Sequence, residues 1–239
     1  MSKRDRVGYI ASYPIFGVLA GINAFALGLQ LTNPSARVEL RWSCTPGSHM
    51  DDLKDMGLDF ISTLDIPTPD CVRGRWGASR VLPDGSTELL ASPYWDWGRF
   101  YEKLVHSIMH GSWDALNTNK TGSQAINYWW GMASGVIGVR MNPSLPEGVQ
   151  NLVKILQKGI CDGSITPFHR RIVSQDGLVR NDGGQYFSLE EILHMDWLLD
   201  TIDGSIPSFD ELLPQSRETV RLQGIYRDSI PPEKEGVLL

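Results

Sequence analysis

At 239 residues the chain can bury a substantial core, in one large domain or one domain with an appendage. Its 41% hydrophobic and 21% charged residues exclude a disordered chain. With 22 Lys and Arg against 28 Asp and Glu, the net charge of −6 argues against nucleic acid as the main partner, since phosphate binding needs a dense basic footprint.

Residues 7–11, VGYIA, are a short apolar run bounded by turn chemistry, which predicts a central strand. The loop Ser12-Tyr13-Pro14-Ile15-Phe16-Gly17 follows. Val18, Ile22, Phe25 and Leu29 then fall at steps of four, three and four, one face of a helix that Asn33-Pro34 stops. Residues 37–42 alternate, with Val38, Leu40 and Trp42 facing one way and Arg37, Glu39 and Arg41 the other. Strand, helix and strand at this spacing predict a parallel pair with a right-handed crossover. Residues 49–57 read as a short helix and 58–63 as the next strand. Residues 65–70 hold two prolines and continue neither.

Residues 72–92 are harder to read. Pro83-Asp84-Gly85 marks a turn, and 89–91 a short strand. The aromatic cluster 93–98 opens a helix that carries Phe100, Leu104, Val105 and Ile108, runs to His110 and ends at Gly111. Asp96 is placed to cap it. Tyr128, Trp129 and Trp130 lead into a strand at 136–139. Pro146 begins a helix with Val149, Leu152, Val153 and Leu156 on one face, closed by Gly159. Residues 172–173 and 178–179 flank a hairpin turn, Ser174 to Gly177. Ser188 and Glu191 form a capping box. A last helix is expected at 214–223, with an extended tail beyond it.

The chemistry suggested by these elements is binding. Open parallel sheets take ligands beyond the carboxyl ends of their strands. Three loops leave such ends: 12–17, 43–47 and 64–70. The first presents Tyr13 and Phe16 beside a helix N-terminus, whose N–H groups attract polar ligand atoms. The third presents Asp65 as an acceptor. Simple packing and turn capping account for these residues too, and from pattern alone they are the commoner outcome. Trp95 and Trp97 could sandwich an aromatic base or anchor the core. His106 and His110 sit four apart, yet no third ligand accompanies them, so no metal and no cofactor is expected. Cys44, Cys71 and Cys161 have no CxxC spacing and read as small core or subsurface residues. Neither GxSxG, a P-loop nor GxGxxG is present, and nothing argues for an enzyme. The polar start predicts no signal peptide, hence a cytoplasmic chain or a fragment.

VGYIASYPIFGVLAGINAFALG resembles the start of the second lobe in the BMP (basic membrane protein) family of substrate-binding lipoproteins, which serve ABC importers of purine nucleosides and related bases. TNPSARV, TLDIPTP, WDWG, YWWGMASG and GSITPF resemble family motifs in the same order, as do the QDG of residues 175–177 and the MDW of 195–197. The resemblance implies an α/β fold, a parallel sheet flanked by helices, forming one lobe of a type I periplasmic-binding-protein fold over residues 1–204. Residues 205–239 are a C-terminal extension on this reading. The implied ligand residues are Tyr13, Phe16, Asp65, Thr68, Trp95 and Trp97, around a purine-like solute. The family's ribose-binding Asp aligns near Gly77 to Ser79, where no carboxylate stands. Implied partners are an ABC permease and a first lobe that the chain does not encode. The apolar face from Phe100 to His110 would then be covered by that lobe or by a second copy. With one wall of the cleft, the chain is expected to bind purines weakly or not at all. An intracellular small-ligand sensor of the same fold, joined to a regulatory protein, is the alternative.

Overall fold

The computed structural model describes residues 5–63, 76–110 and 131–225. The chain divides into two compact units, residues 1–89 with 167–239, and residues 90–166.

The first unit is built on β1 (Arg6–Ala11), α1 (Val18–Thr32), β2 (Arg37–Trp42), α2 (His49–Asp55) and β3 (Phe60–Thr63). β1 pairs in parallel with β2 on one side and β3 on the other, Tyr9 opposite both Leu40 and Ser62. The predicted parallel pair joined through a helix is thus present. β4 (Gly77–Val81) is antiparallel to β3, with Ile61 opposite Ser79. At the other edge the two-residue β9 (Ile202–Asp203) runs parallel to β2. The order β4-β3-β1-β2-β9 is therefore mostly parallel, with one reversed strand. The reversal falls within residues 72–92, where β4 has no strand pattern in the sequence. Leu82 donates to the Ser86 carbonyl at 2.8 Å, closing the expected turn at Pro83 to Gly85 before β5 (Thr87–Trp95).

Period-two alternation assigns the two faces of this sheet. Tyr9, Ala11, Val38, Leu40 and Trp42 bury against α1 through Leu19, Ile22, Ala26 and Leu27. Leu53, Leu58 and Ile61 form a second buried cluster, against which Ile10 packs. Glu39 lies on the face away from α1 and is only 4% exposed. Its carboxylate is held by Arg6 at 2.5 Å and Arg41 at 4.0 Å, so the charged half of the alternation is folded in as an ion-paired group. The hairpin β7 (Arg171–Val173) and β8 (Val179–Asp182) forms as expected, followed by α5 (Leu189–Leu193) and α6 (Pro214–Gln223). Leu212 and Val220 are buried in the α1 core, so residues 205–225 pack as part of the first unit.

In the second unit β5 pairs antiparallel with β6 (Ile137–Met141), Tyr94 opposite Gly138. Pro93, Tyr94 and Trp95 are strand residues. Helix α3 (Trp97–Met109) starts only after Asp96, whose side chain accepts from the Arg99 N–H at 3.0 Å as predicted. Helix α4 (Glu147–Cys161) runs two residues past Gly159, where it was expected to end. Gly159 is buried inside the helix, packed so closely that a Cβ there would stand 2.6 Å from the Ile165 side chain. Cys44 is buried, but Cys161 is exposed at the end of α4. Cys71, Gly111, Tyr128, Trp129, Trp130 and the tail lie outside the described residues.

Candidate functional site

Gly17 ends the loop 12–17 at φ +86°, a conformation glycine adopts without strain, and this sets the turn from β1 into α1. Main-chain bonds clasp the loop from both sides. Phe16 N–H donates to Gln223 at the end of α6 (3.3 Å), and Gly17 N–H to Leu193 at the end of α5 (3.0 Å). Ile225 N–H donates to Pro14 (3.2 Å), and Val18 N–H to Ile15 (3.2 Å). The N–H groups of Phe16, Gly17 and Val18 are thus spent within the protein. What the loop offers is aromatic surface. Tyr13 is half-buried against the α1 core, and the Phe16 ring meets the His194 ring edge-on with centroids 4.8 Å apart. This clasp fixes both backbones at the carboxyl end of the central strand.

Trp95 ends β5 and Trp97 begins α3. They are 46% and 57% exposed, so neither is a core anchor. Trp97 lies edge-on to Phe100 at 5.7 Å and tilted to Tyr101 at 6.4 Å. Tyr13 and Phe16 belong to the first unit, Trp95 and Trp97 to the second. Asp65 and Thr68 lie outside the described residues. Ser79, where the resemblance seeks a carboxylate, is buried in β4.

The loop after β2 opens a larger feature. A cavity of about 690 Å³ lies beyond the carboxyl ends of β2 and β9. Trp42, Thr45, His49, Ser205, Asp210 and Arg217 are among its lining. The Trp42 indole donates to the Ser205 carbonyl at 2.8 Å, tying the two strand ends together. His49 Nε2 lies 2.9 Å from the Thr45 carbonyl, so that nitrogen carries the proton. His49 Nδ1 is buried without a hydrogen-bond partner among the described residues. Sequence reasoning named the loop 43–47 but missed His49, Asp210 and Arg217, which converge from stretches some 160 residues apart and carry no motif.

No group of three metal-binding side chains occurs among the described residues. His106 and His110 are exposed and stack at 3.9 Å, with His110 Nδ1 2.9 Å from the His106 carbonyl. Several carboxylates held below their usual range serve local structure. Ser86 does this to Asp84, Ser174 to Asp176, Ser188 to Glu191 and Ser208 to Glu211. Among the described residues no helix is long and apolar enough to cross a membrane.

No protein-family profile matches the chain. It is 27% identical over 220 residues to a purine-binding protein of Brucella abortus, covering 87% of this chain and 60% of that one. It is 29% identical over 180 residues to a Haloferax volcanii protein whose name ascribes to it glucose binding for an ABC transporter, covering 69% of this chain and 43% of that one. The chain therefore spans roughly half the length of these relatives.

Proposed function

We propose that the chain is one of the BMP-like ABC substrate-binding proteins, forms one wall of a solute cleft and takes a purine-like ligand, a reading supported by the likeness to a purine-binding protein and an ABC transporter binding protein. The observation that carries this reading is the clasped loop 12–17. It holds two aromatic side chains at the carboxyl end of the central parallel strand, where ligands of such sheets bind. A flat base gains by stacking on aromatic faces, on the order of 1–3 kcal/mol for each. A sugar lacks an aromatic face of its own and gains less there, which favours purine over glucose. Trp95 and Trp97 are exposed indoles of the second unit. Asp65 and Thr68 supply hydrogen bonds to the ligand's polar edge. The mechanism is binding and release by cleft closure, with no bond made or broken.

The partners on this reading are an ABC permease and a complementary lobe. That lobe, or a second copy, covers the apolar stripe of α3, where Trp97, Tyr101, Val105 and Ile108 are each more than half exposed. The test is substitution. Phe16→Ala lowers adenine affinity about tenfold or more, while Leu31→Ala, on an exposed position of α1, leaves it unchanged. Equal affinity in both variants removes the loop from the site.

A further inference from the structure

We propose that the cavity beyond β2 and β9 binds a small zwitterionic solute, of the free amino acid type, at a place separate from the loop 12–17. None of residues 12–17 lines it. Its position fits a ligand site, since two parallel strands end at it and its volume of about 690 Å³ falls in the range of small-molecule pockets.

The charges decide the class of ligand. Arg217 and Asp210 both line the cavity. Arg217 is positioned by main-chain carbonyls: its Nε donates to Leu212 at 3.2 Å and its Nη2 to Asp210 at 3.0 Å. Its guanidinium also lies 5.9 Å from the centre of the Phe209 ring. Among the described residues no carboxylate pairs with it. The Asp210 carboxylate likewise has no hydrogen bond or ion pair there, although Arg217 touches its own main-chain oxygen. Two neighbours of opposite charge therefore stand side by side without pairing.

The other charged groups of the lining are committed. Glu211 accepts from the Ser208 N–H at 2.7 Å and its hydroxyl at 2.9 Å. Arg41 has a carboxylate partner, Glu39 at 4.0 Å, and also donates to the Leu40 carbonyl at 2.8 Å. The uncommitted set is one cation and one anion. A neutral base or sugar answers neither charge, and a simple anion answers only one. A ligand with one carboxylate and one ammonium answers both. Trp42, Pro46 and Leu212 add an apolar wall for its side chain.

The test titrates the full chain calorimetrically with L-leucine, 4-methylpentanoate and 3-methylbutylamine, which carry both charges, the carboxylate alone and the ammonium alone. Leucine is expected to bind, with each half-ligand about tenfold weaker or more. Asp210→Asn, at an exposed side chain with no structural bond, should reduce leucine to the level of the pentanoate and leave the pentanoate unchanged. Arg217→Gln should abolish both. No heat from leucine overturns the proposal. So does pentanoate binding as tightly as leucine, which marks a simple anion site. Leucine binding that Asp210→Asn does not alter overturns it as well.

Discussion

Asn23 sits in the middle of α1 and is fully buried. Its Nδ2 donates to the Trp197 carbonyl at 2.9 Å, and its Oδ1 accepts from the Leu199 N–H at 3.0 Å. One side chain thus satisfies the main chain of a segment that no regular element supports. Asn23→Leu keeps the volume but strands both groups, and should cost about 2–4 kcal/mol in urea unfolding. A loss under about 1 kcal/mol would mean that water replaces the side chain. Asp203 shows a second residue-scale dependence. The hydrogen bonds from Arg37 hold its carboxyl below the usual range against the opposing effect of burial, with lesser help from the charges of Arg37 and Arg6. A depressed carboxylate stabilises the fold fully above its unfolded value of about 4, and that stability is lost as pH falls through the lower folded value. Urea midpoints taken downward from about pH 6 should therefore fall, and Asp203→Asn should flatten the decline. A variant that follows the parent curve would place the acid sensitivity elsewhere.

The packing of α2 on β1 depends on a missing side chain. A Cβ at Gly8 would stand 2.9 Å from Leu53, 3.2 Å from Ile61 and 3.3 Å from Leu58, and these three are buried. Gly8→Val should destabilise by about 1–3 kcal/mol through overpacking, read by thermal or urea unfolding. At the start of α5, Ser188 accepts from the Glu191 N–H at 3.2 Å while Glu191 accepts from the Ser188 N–H at 2.7 Å. Ser188→Ala should cost about 1 kcal/mol, seen as faster amide exchange over residues 189–193. These elements were legible because each carries a local signal: period two in β2, period 3.6 in α1, a capping box in α5, proline at the first turn of α6. β4 carried none, since GASRV is short and weakly apolar and takes its structure from pairing with β3. The end of α4 was misread for a related reason. Glycine usually closes helices, but Gly159 is there to admit Ile165.

At the scale of the whole molecule the first unit is a mostly parallel α/β layer structure whose strand ends gather the candidate sites. The aromatic wall of Tyr13 and Phe16 was legible, because aromatics in a turn at a strand end form a contiguous signal. The clasp around it was not, since Leu193, Gln223 and Ile225 reach the loop through main-chain atoms that any sequence provides. The cavity beyond β2 and β9 was illegible for the same reason of distance along the chain. Within the second unit α3 has no buried residue, and Met109 is 77% exposed. Replacing Val105 and Ile108 with Glu should therefore leave this unit's stability within about 0.5 kcal/mol, and should abolish self-association if a second copy covers the face. Calorimetric titration of the chain with adenine and, in parallel, with glucose tests the central claim most directly. The account predicts weak binding of adenine, no tighter than micromolar, and none of glucose. Glucose binding with adenine silent would contradict the ligand class, and submicromolar adenine binding by a monomer would contradict the single wall.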